Sequence, residues 1–124
     1  MKKLKQTSFH SETTRGNCLA TVIACFLNCE KVEDVIQIQN HFDTGEDWAI
    51  LLFDWLWDIG WEKGCLRGHL FNDEFYLVSG VSPRNPKVKH VCIYQNGKLY
   101  HDPHPDGTGI LTEEIFEYLE KIEK

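Results

Sequence analysis

Cys18, His90 and Asp102 are of the types that do acyl chemistry, and each stands where a fold could present it. Cys18 follows Gly16-Asn17 at the point where a helical apolar pattern begins. Unpaired N–H groups and the helix dipole at such a start favour a negative charge, and the thiolate is the reactive form of cysteine. The same amides, the Cys18 N–H among them, can line an oxyanion hole. His90 opens a strand and Asp102 closes the next one across Asn96-Gly97, six residues before the turn and five after it. A two-residue hairpin brings such positions to the same end of its ladder. A carboxylate there can orient the imidazole and fix its tautomer, completing a nucleophile–base–orienter set. Taken singly, each residue has a plainer use. A free cysteine is usually a small buried apolar residue, a histidine at a strand start sits at the sheet margin, and an Asp before proline forms turns. The combination is what points to chemistry.

These three residues need particular elements to hold them. Residues 1–16 are polar and read as an extended segment. Cys18, Leu19, Val22, Ile23, Phe26 and Leu27 repeat at three and four, which predicts a helix over about 18–28 with Asn17 as N-cap and Gly16 in the preceding turn. A short helix is expected over Val32 to Gln39. A more apolar one carries Trp48, Ile50, Leu51, Leu52, Trp55, Leu56 and Ile59 and is stopped by Gly60. Residues 75–78, 90–94 and 98–101 read as strands, and Asn96-Gly97 is the strongest hairpin signal. Cys65 suits a strand or turn, and Cys92, between Val91 and Ile93, packs inside. Thr112-Glu113-Glu114 reads as the opening of a final helix whose buried stripe is Ile115, Leu119 and Ile122. Helices first and strands later make an α+β domain, a single one over residues 1–124.

The segments Gly16-Asn17-Cys18-Leu19-Ala20, His90-Val91-Cys92-Ile93-Tyr94 and Asn96-Gly97-Lys98-Leu99-Tyr100-His101-Asp102-Pro103 together resemble the papain-like cysteine peptidase superfamily. The resemblance spans roughly residues 6–106. Ser79-Gly80, Ser82-Pro83-Arg84 and the His-Asp-Pro-His-Pro run look like the small bacterial and phage form; the bacteriocin-processing domains of peptide exporters are more distant. It implies a papain-like fold, with the cysteine helix packed on a small antiparallel sheet, and a Cys18–His90–Asp102 triad acting on a peptide, isopeptide or related amide bond. It also implies a side-chain donor to the oxyanion. Gln6, twelve residues before Cys18, is the only upstream glutamine, and Asn17 is the fallback. No cofactor and no metal is implied, since nucleophile and base are both side chains. An acyltransferase or transglutaminase-like enzyme would use the same triad, with an amine in place of water.

Composition narrows the partners. The 124 residues carry 13 basic and 19 acidic side chains, a net charge of −6, which argues against nucleic-acid binding. A mean hydropathy of −0.36 and no long apolar run argue against a membrane span. Five cysteines, an odd number, with no apolar stretch after the basic start point to free thiols in the cytoplasm. His101, His104 and Asp106 offer metal-ligand atoms, but Pro103 and Pro105 limit their convergence and a solvated turn is the simpler reading. His10, His41 and His69 are expected on the surface. Trp48, Trp55, Trp57 and Trp61 fall within fourteen positions. Core filling accounts for most of that cluster, but an exposed Trp57 and Phe53 would instead make a docking surface or a homodimer contact, and a non-enzymatic binding module on a peptidase-like fold is the rival reading.

Overall fold

The apolar run after Asn17 folds as α1 (Cys18–Phe26). Every residue from Ala20 to Phe26 is buried, so α1 is apolar all round and lies in the core. It ends two residues earlier than its apolar spacing suggests, because Asn28 adopts a left-handed conformation (φ 55°). The Asn28 N–H then bonds the Cys25 carbonyl and the Cys29 N–H bonds that of Ala24, which satisfies the last turn. Asn17 occupies the cap position without making a side-chain cap bond.

This computed structural model describes residues 1–123. The helix expected over Val32 to Gln39 is instead two 3-10 turns, Val32–Asp34 and Ile38–His41. Val35 between them is extended, and the Gln37 side-chain amide donates to the Val32 and Val35 carbonyls that a continuous helix would have used. Asp47 caps α2 (Trp48–Asp58) by accepting from the Ile50 N–H, and Gly60 (φ 87°) ends it. Leu52 and Leu56 are buried, while Ile50, Phe53 and Trp57 lie 59%, 42% and 53% exposed along one outer stripe. The Phe53 and Trp57 rings stack there at 6.0 Å.

Five antiparallel strands follow: β1 (Trp61–Leu66), β2 (Phe75–Val81), β3 (Lys89–Gln95), β4 (Lys98–His101) and β5 (Thr112–Lys121), in the order β1-β5-β2-β3-β4. The chain is α+β. The final segment is therefore a strand and not the helix its Ile115, Leu119, Ile122 spacing suggests. The reason is tertiary. Leu119 joins the core shared with α1 and α2, and its near neighbour Phe116 packs against a second cluster on the opposite face of the sheet, a division that period 2 allows. Ile115 is half exposed. β5 fills the gap between β1 and β2, so both of its edges are paired. Gly64 of β1 lies under the Tyr118 ring of β5, where a Cβ would collide with the phenol.

Alternation assigns the two faces. Leu77, Val91, Ile93 and Leu119 pack in the core shared with α1 and α2, and Tyr76, Val78, Cys92 and Tyr94 form the cluster behind. All five cysteines are free, with Cys25 and Cys92 buried and Cys65 exposed on β1. Among the described residues no helix is long and apolar enough to cross a membrane. Leu119→Ala should cost about 2–4 kcal/mol in urea denaturation and Ile115→Ala less than about 1 kcal/mol. Comparable losses at both positions would instead mark a single buried stripe.

Candidate active site

The β3–β4 hairpin turns through Asn96 (φ 53°) and Gly97 (φ 76°), the two positive-φ residues that a type I′ turn requires. Its register shifts between Ile93 and Tyr94, leaving Ile93 opposite His101. His90 near the start of β3 and Asp102 just past β4 thereby meet, as the outward count from the turn predicts. The His90 Nε2–H donates to Asp102 Oδ1 at 2.7 Å, with 4% and 2% of the two side chains exposed. Asp102 Oδ1 also accepts the His104 N–H at 2.9 Å, and Oδ2 accepts the Gly109 N–H at 2.8 Å. Burial by itself raises a carboxyl pKa, but the bonds from His90, His104 and Gly109 outweigh it and hold Asp102 well below the usual range. Burial likewise disfavours the imidazolium, yet Asp102, Cys18 and Cys92 together push His90 up to about 11.

Cys18 is the first residue of α1 and is partly exposed. Its N–H has no acceptor within the helix, as the geometry of a helix start dictates. It lines a cleft of about 770 Å³ with His90, Gln6, Leu19, Phe42 and Trp48. Its thiol is close enough to His90 to contribute to the raised imidazole pKa. Asp102 occupies Nε2, which leaves Nδ1 as the ring nitrogen for a thiol partner.

Gln6 reaches the same cleft despite its distance along the chain. Residues between Ser8 and Asn17 loop out and close on the bond from the Asn17 N–H to the Ser8 carbonyl, 3.1 Å, so Gln6 lies against Gly16. A Cβ on Gly16 would stand 3.3 Å from Gln6 Nε2. That amide nitrogen donates one hydrogen to the Ser8 carbonyl, and Gln6 Oε1 is buried with no hydrogen-bond partner among the described residues. Asn17, the fallback donor, is fully engaged elsewhere. Its Oδ1 accepts from the Thr7 and Ser8 N–H groups, and its Nδ2 donates to Thr7 Oγ1 and Gln37 Oε1. It staples the N-terminal arm and has no amide hydrogen left for an oxyanion.

His101, His104 and Asp106 do not converge on a common point. His101 is buried and its Nε2 donates to the Leu4 carbonyl, while His104 Nδ1 accepts the Asp106 N–H. The ligand-type atoms that do gather, within 4.8 Å of one another, belong to His90, Cys92 and Asp102. Cys92 is fully buried, and burial pushes its thiol up to about 11, so it stays neutral beside the pair. Sequence reading placed Cys92 inside but missed its contact with the site, although its position two residues along the strand from His90 puts both on one face. His69 is likewise no plain surface residue, since it bridges Tyr76 Oη at 2.7 Å and Glu113 at 2.9 Å.

No protein-family model matches this chain, and no curated protein and no solved structure matches it. What the site can do is read from its own geometry. Asp102→Asn should bring the His90 pKa down toward the ordinary value of about 6.5, followed by NMR of the ring nitrogens. A pKa raised by folding adds stability that is fully present below about pH 6.5 and is lost as pH rises through about 11. The stability advantage of the wild type over Asp102→Asn should therefore shrink across that interval, and an advantage that grows with pH would contradict the assignment.

Proposed function

We propose that the chain is a small papain-like cysteine hydrolase that cleaves a peptide, isopeptide or related amide bond through Cys18, His90 and Asp102. The observation that carries this reading is the buried 2.7 Å bond between His90 and Asp102 beside a thiol at a helix start on an open cleft. The order of elements, a cysteine helix followed by histidine and carboxylate strands, supports the papain-like form. Five free thiols suit a reducing compartment, and we assign the protein to the cytoplasm.

In this mechanism the Cys18 proton already rests on His90, whose Nδ1 and Nε2 then both carry hydrogen, and the thiolate Sγ bonds the substrate carbonyl carbon. The Cys18 N–H and the second Gln6 Nε2 hydrogen receive the oxyanion. The imidazolium returns its proton to the leaving nitrogen, the C–N bond breaks and a thioester remains. Water then attacks with His90 as base, releasing the carboxylic acid and restoring the thiol. An amine in place of water gives acyl transfer, which the same groups support. The exposed Phe53–Trp57 stack favours a second use, a protein-docking or homodimer surface on α2, away from the chemistry.

Iodoacetamide labelling resolved by mass spectrometry tests the nucleophile. At pH 6 Cys18 should react at least about tenfold faster than exposed Cys65, and His90→Ala should remove the difference. Cys18→Ala should abolish turnover of an activated ester such as p-nitrophenyl acetate while changing stability by no more than about 1–2 kcal/mol. Labelling of Cys18 no faster than that of Cys65 would overturn the reading. Gln6→Ala should slow ester turnover by about 10²–10³-fold yet leave alkylation unchanged, because alkylation develops no oxyanion.

A further inference from the structure

Asp102 is held by a loop that is itself held. From Asp102 the chain turns back on itself through a closed set of bonds. The His104 and Gly109 N–H groups donate to the two Asp102 oxygens, and the Asp106 N–H donates to His104 Nδ1. The Thr108 N–H and Oγ1 both donate to Asp106 Oδ1. Gly109 can present its N–H to Asp102 because it adopts φ 78°, a conformation other residues rarely take. The carboxylate at the centre of this loop is Asp106. It receives Arg84 Nη1 on both oxygens, at 2.9 and 3.0 Å, and the same nitrogen donates to Thr108 Oγ1 at 3.1 Å.

Arg84 belongs to the other arm of the site. It lies in the turn that leads into β3, which is closed by bonds from the Ser82 N–H to the Val88 carbonyl and from the Val88 N–H to the Asn85 carbonyl. The Arg84 N–H is fixed on Ser82 Oγ. His90 follows two residues after Val88. One guanidinium thus joins the segment that delivers the base to the loop that delivers its orienter. Arg84 and Asp106 meet at the surface, with 29% and 33% of their side chains exposed, and the several charge-assisted contacts made by one guanidinium nitrogen give the pair a fixed direction.

We propose that Arg84, through Asp106, is a positioning residue that sets the separation of His90 and Asp102. This rests on the triad reading above. Arg84 lines the cleft that Cys18 opens on, but its guanidinium is held by Asp106 and Thr108, and it acts through the loop. Loss of the clamp lets the loop from 103 to 109 relax, the Asp102 carboxylate loses its fixed aim, and the imidazole it orients loses its hold on the thiol proton. A misplacement of about 1 Å is enough to cost roughly 100-fold in such a set.

The test compares iodoacetamide labelling of Cys18 from pH 5 to 9 in the full-length wild type, Arg84→Ala, Arg84→Lys, Asp106→Asn and His90→Ala. It is read together with the downfield His90 Nε2–H proton signal. Arg84→Ala and Asp106→Asn should each slow labelling at pH 6 by about tenfold to a hundredfold and broaden or shift that proton. Arg84→Lys should restore part of the rate. Arg84→Ala combined with Asp106→Asn should be no slower than either alone, as partners in one contact require. If Arg84→Ala does not fold, Asp106→Asn, which keeps the volume, decides by the same readouts. Wild-type labelling and an unmoved proton in the Arg84 and Asp106 variants, with labelling lost in His90→Ala, would overturn the clamp and leave the triad standing. Wild-type labelling in His90→Ala as well would overturn the triad reading, and the clamp with it.

Discussion

A carboxylate and an imidazole buried together are stable only if every remaining lone pair and proton is also satisfied. The rest of this molecule is arranged around meeting that condition for Asp102 and His90. The hairpin brings the two residues to one end of its ladder, and two backbone N–H groups from the returning loop complete the carboxylate. The N-terminal arm closes the remaining side, where Lys5 Nζ donates to the Asp102 carbonyl and the Gln6 N–H to that of Pro103. Cys92 fills the space beside the pair with a neutral thiol, which neither competes for the imidazole as an anion nor leaves a void.

The sheet makes this possible by having two unlike faces. Beneath α1 it presents aliphatic side chains, and that core fixes where the helix begins and so where Cys18 stands. Behind, it presents tyrosines and a cysteine covered by loop residues. The cleft opens beside the start of α1, where Ser79, Val91 and Ile115 of three adjacent strands line it opposite Leu19 and Trp48. A nucleophile on a helix and a base on a strand thus share one opening.

What could be read from the sequence followed the locality of the signal. The hairpin was legible because Asn96-Gly97 dictates its own backbone, and with it the meeting of His90 and Asp102. Gly60 as a helix stop was equally local. β5 was not legible, because Thr112 to Ile122 satisfies a helical period as well as a strand period and only the unfilled slot between β1 and β2 decides. β1 carries too little alternation in Trp61–Leu66 to announce itself. The site divides the same way. Cys18, His90 and Asp102 were visible as types at element ends, whereas the engagement of Asn17 and the return of Gln6 depend on a loop between residues 8 and 17 whose closure no periodicity records.

The N-terminal arm carries a consequence for how the molecule is made. The bonds from His101 to Leu4 and from Lys5 to Asp102 each join residues 97 apart. Contacts that distant demand a large loop closure and are characteristic of late events in folding. α1 can begin to order from its own neighbours, but the oxyanion side of the cleft and the triad side are joined only when the two ends of the fold meet. A partly folded chain therefore carries Cys18 without its apparatus, and the thiol gains its full setting only in the completed molecule.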